Sequence, residues 1–88
     1  MTQYFTNAQR LSRMYDTFEV PTYEELSKLK VNDGVKVCLN NERFWLLITV
    51  INGKTITGTV DNNLFFNDLD AGDVVTVRFS NVFETNIR

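Results

Sequence analysis

The hydrophobic pattern along this chain changes period once, near residue 30. Ahead of that point Ala8, Leu11 and Tyr15 fall on one helical face, with Thr6 placed before them as a cap, so the spacing predicts a short helix ending near Tyr15. Residues 16–20 read as a connector. Pro21 then leads into Thr22-Tyr23-Glu24-Glu25, in which Thr22 and Glu25 stand three apart in the order of a capping box. Leu26 and Leu29 give this second short helix a single apolar stripe, and the turn-forming run Asn32-Asp33-Gly34 stops it near Lys30.

Beyond the turn the period is two. Val35, Val37 and Leu39 alternate with Lys36 and Cys38 as a first strand, and Asn40-Asn41 turns the chain into a long apolar strand over 43–51. Asn52-Gly53 is the strongest hairpin signal present and predicts a type I′ turn with positive φ at both residues. The return strand, 55–60, sets Ile56, Gly58 and Val60 on one face and Thr55, Thr57 and Thr59 on the other. Further strands are expected at 64–67, 74–79 and 82–85, separated by Asp/Asn/Gly turns. The fold class is therefore α+β, mostly β: a small SH3-like five- to six-stranded antiparallel barrel or bent sheet with one or two short N-terminal helices packed against it. Residues 1–88 are read as one domain, with 1–30 a helical cover and 31–88 the barrel.

The long strand is apolar on both faces. Phe44, Leu46, Ile48 and Val50 make one; Trp45, Leu47, Thr49 and Ile51 make the other. A closed barrel buries the first set and leaves the second in need of cover. The unspent apolar residues are Tyr4, Phe5, Leu11, Tyr15, Phe18, Val20, Leu26 and Leu29, and the expectation is that they lie over Trp45 and Leu47. Such burial contributes roughly 1.5–3 kcal/mol per large side chain. The alternative is that a partner, or a second copy, covers that face.

Composition narrows the chemistry. Eighty-eight residues, 43% hydrophobic and 23% charged, suit one modest core. No run approaches a membrane span, and the start lacks the pattern of a secretory signal, so cytoplasmic residence, in the producing or host cell, is the expectation. One cysteine, Cys38, forms no internal disulfide. Histidine is absent, which removes Ser–His and Cys–His nucleophile pairs, histidine bases and mixed Cys/His zinc sites. The chain is expected not to be an enzyme and to need no cofactor. Its net charge of −2 shows no basic stripe of the kind that neutralises phosphates.

From residue 18 to about 84 the chain resembles an uncharacterised family, the YegJ-like domain of unknown function, found in bacteria and, in similar short form, in large DNA viruses. The motifs that carry the resemblance are P-T-Y-E-E-L-S-K-L-K-V-N-D (21–33), V-K-V (35–37), E-R-F-W (42–45), N-G-K-T-I-T-G-T-V-D-N (52–62) and G-D-V-V-T-V (72–77). E-R-F-W followed by the I-x-G strand is the most specific of these. The resemblance implies a compact SH3-like or related β-barrel and brings no activity with it. The family's first turn usually reads Gly-Asp ahead of V-K-V, whereas here Asn32-Asp33-Gly34 reverses that order.

The candidate contact surface comprises Arg43, Trp45, Leu47, Phe65 and Tyr4, because Trp and Arg dominate binding hot spots and exposed aromatics extend an apolar patch. The competing reading makes Trp45 core and Glu42/Arg43 a solvated rim pair. The carboxylates of Asp61, Asp68, Asp70 and Asp73 lack calcium-loop spacing, and Asp70 and Asp73 are better explained by turn formation, so no metal site is expected. Cys38 is read as a buried or half-buried structural thiol, with a reactive one the alternative, since Lys36 faces the same way. The functional expectation is a non-enzymatic protein-interaction module, a small acidic adaptor or inhibitor of a basic-surfaced partner, encoded by a bacterium, phage or large virus. A protein partner or self-association is favoured over nucleic acid. The alternatives are a single-stranded nucleic-acid-binding small barrel using Trp45, and an enzyme working through carboxylates alone.

Overall fold

A computed structural model describes residues 5–15, 19–65 and 67–87; Tyr4, Phe18 and Phe66 therefore lie outside the described residues. The first helix, α1 (Ala8–Met14), starts one residue later than Thr6 would place it, because Asn7 supplies the cap: its Oδ1 accepts from the Arg10 N–H at 2.9 Å. The second, α2 (Tyr23–Leu26), begins as its sequence predicts, with Thr22 Oγ1 accepting from the Glu25 N–H at 3.1 Å. Asp33 closes the following turn. Its buried carboxylate accepts from the Lys30 N–H at 2.9 Å while its own N–H donates to the Lys30 carbonyl, and Asn32 takes up positive φ between them.

Five antiparallel strands follow: β1 (Gly34–Leu39), β2 (Glu42–Asn52), β3 (Thr55–Val60), β4 (Val74–Arg78) and β5 (Glu84–Asn86). They form one sheet in the order β4-β3-β2-β1-β5, with a 3-10 turn at Phe79–Asn81 between the last two strands. The sheet is open. β4 and β5 are its edges and do not pair, so the closed barrel is replaced by the open-sheet alternative.

Of the strand expected over 64–67, the described residues Leu64, Phe65 and Asn67 are not in strand conformation. Side chains satisfy the backbone there in place of a ladder. Asn62 Oδ1 accepts from the Trp45 N–H and Glu42 Oε2 from the Phe65 N–H, both at 2.6 Å. Asn67 Nδ2 donates to Glu42 Oε1 at 3.0 Å and to the Leu39 carbonyl at 2.8 Å. Glu42 thus fastens the loop after β3 to the β1–β2 hairpin rather than acting as a solvated rim residue.

The hairpin turns are also exchanged. Asn40 (φ 51°) and Asn41 (φ 66°) carry positive φ at both central positions, the type I′ pattern. Asn52 stays in the ladder opposite Thr55, and the second turn is made by Gly53 (φ 63°) and Lys54, with glycine at the first central position as in type II′.

Strand β2 changes sides halfway. Its register against β3 shifts between Ile48 and Val50, a bulge at which Thr49 Oγ1 donates to the Thr57 carbonyl. Phe44, Leu46 and Ile48 are buried, as expected, but after the bulge Val50 turns outward (53% exposed) and Ile51 packs on the core. The expected assignment of Val50 and Ile51 is reversed.

The core lies on the Phe44 face, where Leu26 and Leu29 join Val35, Val37, Phe44 and Ile48, and Phe5 approaches Phe44 with ring centres 6.2 Å apart. An open sheet leaves this face uncovered by any second sheet, and the N-terminal apolar residues are drawn to it. The expectation that Phe5, Leu26 and Leu29 lie over Trp45 and Leu47 is thereby corrected. Among the described residues a smaller cluster forms on the opposite face: Ala8, Cys38 and Phe83, flanked by Leu11 and Val20. Tyr15 is exposed. No helix among the described residues is long and apolar enough to cross a membrane.

Candidate functional site

Register places the candidate surface. Gly34 lies opposite Leu47, Lys36 opposite Trp45 and Cys38 opposite Arg43, so these six side-chain positions share the face away from the core. On β3 and β4 the same face presents Thr57, Thr59, Val74 and Thr76, with the Thr57 and Thr76 hydroxyls 3.1 Å apart. Helix α1 covers only the Cys38 end. There Cys38 is 7% exposed, in keeping with a structural thiol, and the Arg43 guanidinium stacks 4.8 Å from the centre of the Phe83 ring.

Trp45 and Leu47 remain half-buried. Lys36 Nζ stands 5.3 Å from the Trp45 ring centre and 3.4 Å from Glu84 Oε2 on the adjacent edge strand, a partly exposed pair worth little in stability but enough to orient the ammonium. The indole lies across Gly34, where a Cβ would meet Cε3 at 3.4 Å. Beside it is a cavity of about 160 Å³ lined by Gly34, Trp45, Leu46, Leu47, Asp61 and Asn86. The Asp61 N–H donates to the Trp45 carbonyl at 2.9 Å, holding this acidic residue at the cavity rim. Exposed Val50 and Val74 (67% exposed) extend the apolar area across the sheet.

Of the predicted contact residues, Arg43, Trp45 and Leu47 come together on this face. Phe65 is 87% exposed but lies in the Glu42-fastened loop and does not line the cavity; Tyr4 lies outside the described residues. The contributions of Gly34, Asp61 and Asn86 are missing from the sequence reading. Asp61 carried a signal, since it follows directly on a strand whose partner contains Trp45. Asp70 and Asp73 are used within one turn, where the Asp70 N–H donates to Asp73 Oδ2 at 2.9 Å.

A second, larger cavity, about 400 Å³, opens between α2 and the β2–β3 hairpin. Tyr23, Leu26, Ser27, Leu29, Ile51, Gly53, Lys54 and Phe79 line it. The Tyr23 and Phe79 rings tilt at 43° with centres 6.4 Å apart, and Lys54 Nζ lies 5.2 Å from the centre of the Tyr23 ring.

No family model, curated protein or solved structure matches this chain.

Proposed function

We propose that the chain is a non-enzymatic protein-interaction module whose contact surface is the Trp45–Leu47 face. The observation that carries this reading is the half-burial of Trp45 and Leu47 on a face that the chain's own helices leave open beyond Cys38. A large aromatic beside a small cavity, with aliphatic side chains around it, is the composition of an interface anchor. Within the same proposal the sheet is an SH3-like arrangement. Support comes from its β4-β3-β2-β1-β5 order, the long bulged β2 and the 3-10 turn before β5. The motif resemblance to the YegJ-like family points the same way.

The partner's contact is a basic side chain flanked by apolar residues. The Trp45 ring already carries Lys36 Nζ at 5.3 Å and so offers apolar area, while the Asp61 carboxylate in the cavity lining makes no ion pair with a described residue, so an incoming Arg or Lys gains an ion pair beside an apolar wall. The same carboxylate weighs against phosphate, which separates this reading from single-strand binding through Trp45. The absence of histidine supports a non-catalytic role.

The test is selection from a displayed random-peptide library, counter-screened against Trp45→Ala and Asp61→Asn, with light scattering of the unliganded protein. Enriched peptides carrying Arg or Lys beside apolar residues, and lost with either variant, are the expected result. Enrichment that survives Trp45→Ala, or Trp45 quenching by a single-stranded oligonucleotide at low salt, would overturn it.

A further inference from the structure

We propose that the cavity between α2 and the β2–β3 hairpin is a binding site for a small apolar molecule bearing one anionic group. It is separate from the Trp45 face, being formed on the core side of the sheet. Its volume, about 400 Å³, falls in the range of small-molecule sites, about 300–1,000 Å³.

The walls come from parts of the fold that are fixed for other reasons. Leu26, Leu29 and Phe79 are buried members of the main core, and Ile51 was brought to it by the β2 bulge. A guest therefore meets preformed apolar walls and little reorganisation is needed to receive it. Tyr23 stands half out of the surface at the mouth, tilted against Phe79, and supplies an aromatic side wall. At Gly53 a Cβ would find nothing within 4 Å, so no neighbouring atoms crowd the lining at that residue.

Charge selects the guest. Lys54 is the single ionic side chain of the lining, and its ammonium is held over the Tyr23 ring without an ion pair to any described carboxylate. The other polar groups of the lining are the Tyr23 hydroxyl and that of Ser27, which already donates to the Glu24 carbonyl at 2.7 Å. One cation against apolar walls matches one anionic head on an apolar body. A cationic guest meets repulsion, and a polyphosphate would leave most of its charge unpaired against Leu26, Ile51 and Phe79. Fatty-acid chains and aromatic carboxylates share the required chemistry.

The experiment is titration of the full chain with decanoate and with 1-naphthoate, following the methyl resonances of Leu26, Leu29 and Ile51; decanol and decyltrimethylammonium serve as neutral and cationic counterparts. Saturable shifts centred on those methyls are expected for the two anions, with the relative affinity of chain and ring identifying the source class. Lys54→Met should weaken both anions about five-fold while leaving decanol unchanged, Lys54→Arg should retain them, and Ser27→Phe should block the cavity. Trp45→Ala should change none of this, so failure here and failure at the Trp45 face are distinguishable. Equal binding of the cation, insensitivity to Lys54→Met, shifts centred elsewhere, or no saturation at millimolar ligand would each overturn the proposal.

Discussion

A Cβ on Gly58 would stand 2.7 Å from the carbonyl oxygen of Leu47, closer than any side chain is tolerated against backbone. The two residues meet where β2 and β3 approach each other just ahead of the bulge, and Gly58 sits opposite Ile48 on the buried face. Glycine in a strand interior ordinarily weakens it, and here it is required by the close approach. Gly58→Ala should destabilise the fold by about 1–3 kcal/mol through overpacking, read as a lower urea midpoint with an unchanged slope. A wild-type midpoint would show that β2 and β3 are further apart than described.

Asp33 is the one buried charged residue among the described positions, and its Oδ2 accepts the Lys30 N–H at 2.9 Å. Backbone bonds between Asn32 and Ile48, and between Ile48 and Asp33, tie this turn to the sheet. Asp33→Ala removes an acceptor from a part-buried N–H and should cost about 1–3 kcal/mol. Asp33→Asn keeps an oxygen in place and should cost less. Equal losses for the two variants, measured by thermal unfolding, would mean that the acceptor is not what holds the turn.

The turn glycines and asparagines show how far local sequence carries. Asn41 has φ 66° whereas Asn52 remains in the strand. Asn41→Ala should therefore cost about 1 kcal/mol, the usual penalty for a left-handed non-glycine backbone. Asn52→Ala, on an exposed strand end, should stay within about 0.5 kcal/mol. The opposite ranking in a denaturant series would restore the type I′ turn to Asn52-Gly53.

Why some features were legible and others not follows from the range of the interactions that decide them. The Thr22–Glu25 cap and the Ile56/Gly58/Val60 face depend on neighbours within one or two turns of chain, and both form as the sequence predicts. The alternation Phe44, Leu46, Ile48 against Trp45, Leu47 holds for the same reason. It fails at Val50 and Ile51 because both are β-branched and apolar: hydropathy reads the same whichever faces inward, so the bulge at Thr49 leaves no mark. Leu64 and Phe65 look like strand, but the loop is fixed by Glu42 and Asn67, 25 positions apart along the chain. The docking of α2 depends on the sheet staying open, and the lining of the larger cavity is drawn from three separated segments. No window of sequence contains either fact.

Cys38 and Trp45 report separately on the two ends of the outer face. Cys38 packs with Ala8 and Phe83, beside Leu11 and Val20, while the cavity beside Trp45 is lined by Gly34, Leu47, Asp61 and Asn86. In the folded protein the thiol should react slowly with a disulfide reagent such as DTNB. Leu11→Asp removes apolar cover at the Cys38 end; losing about 1.5 kcal/mol of packing should raise the locally open population, and with it the thiol reaction rate, about ten-fold. Trp45 emission should stay where it is, because α1 does not reach that cavity. Were the emission maximum to move red together with the gain in thiol reactivity, the N-terminal segment would be covering Trp45 after all. The outer face would then be architecture, and the contact surface would have to be sought elsewhere.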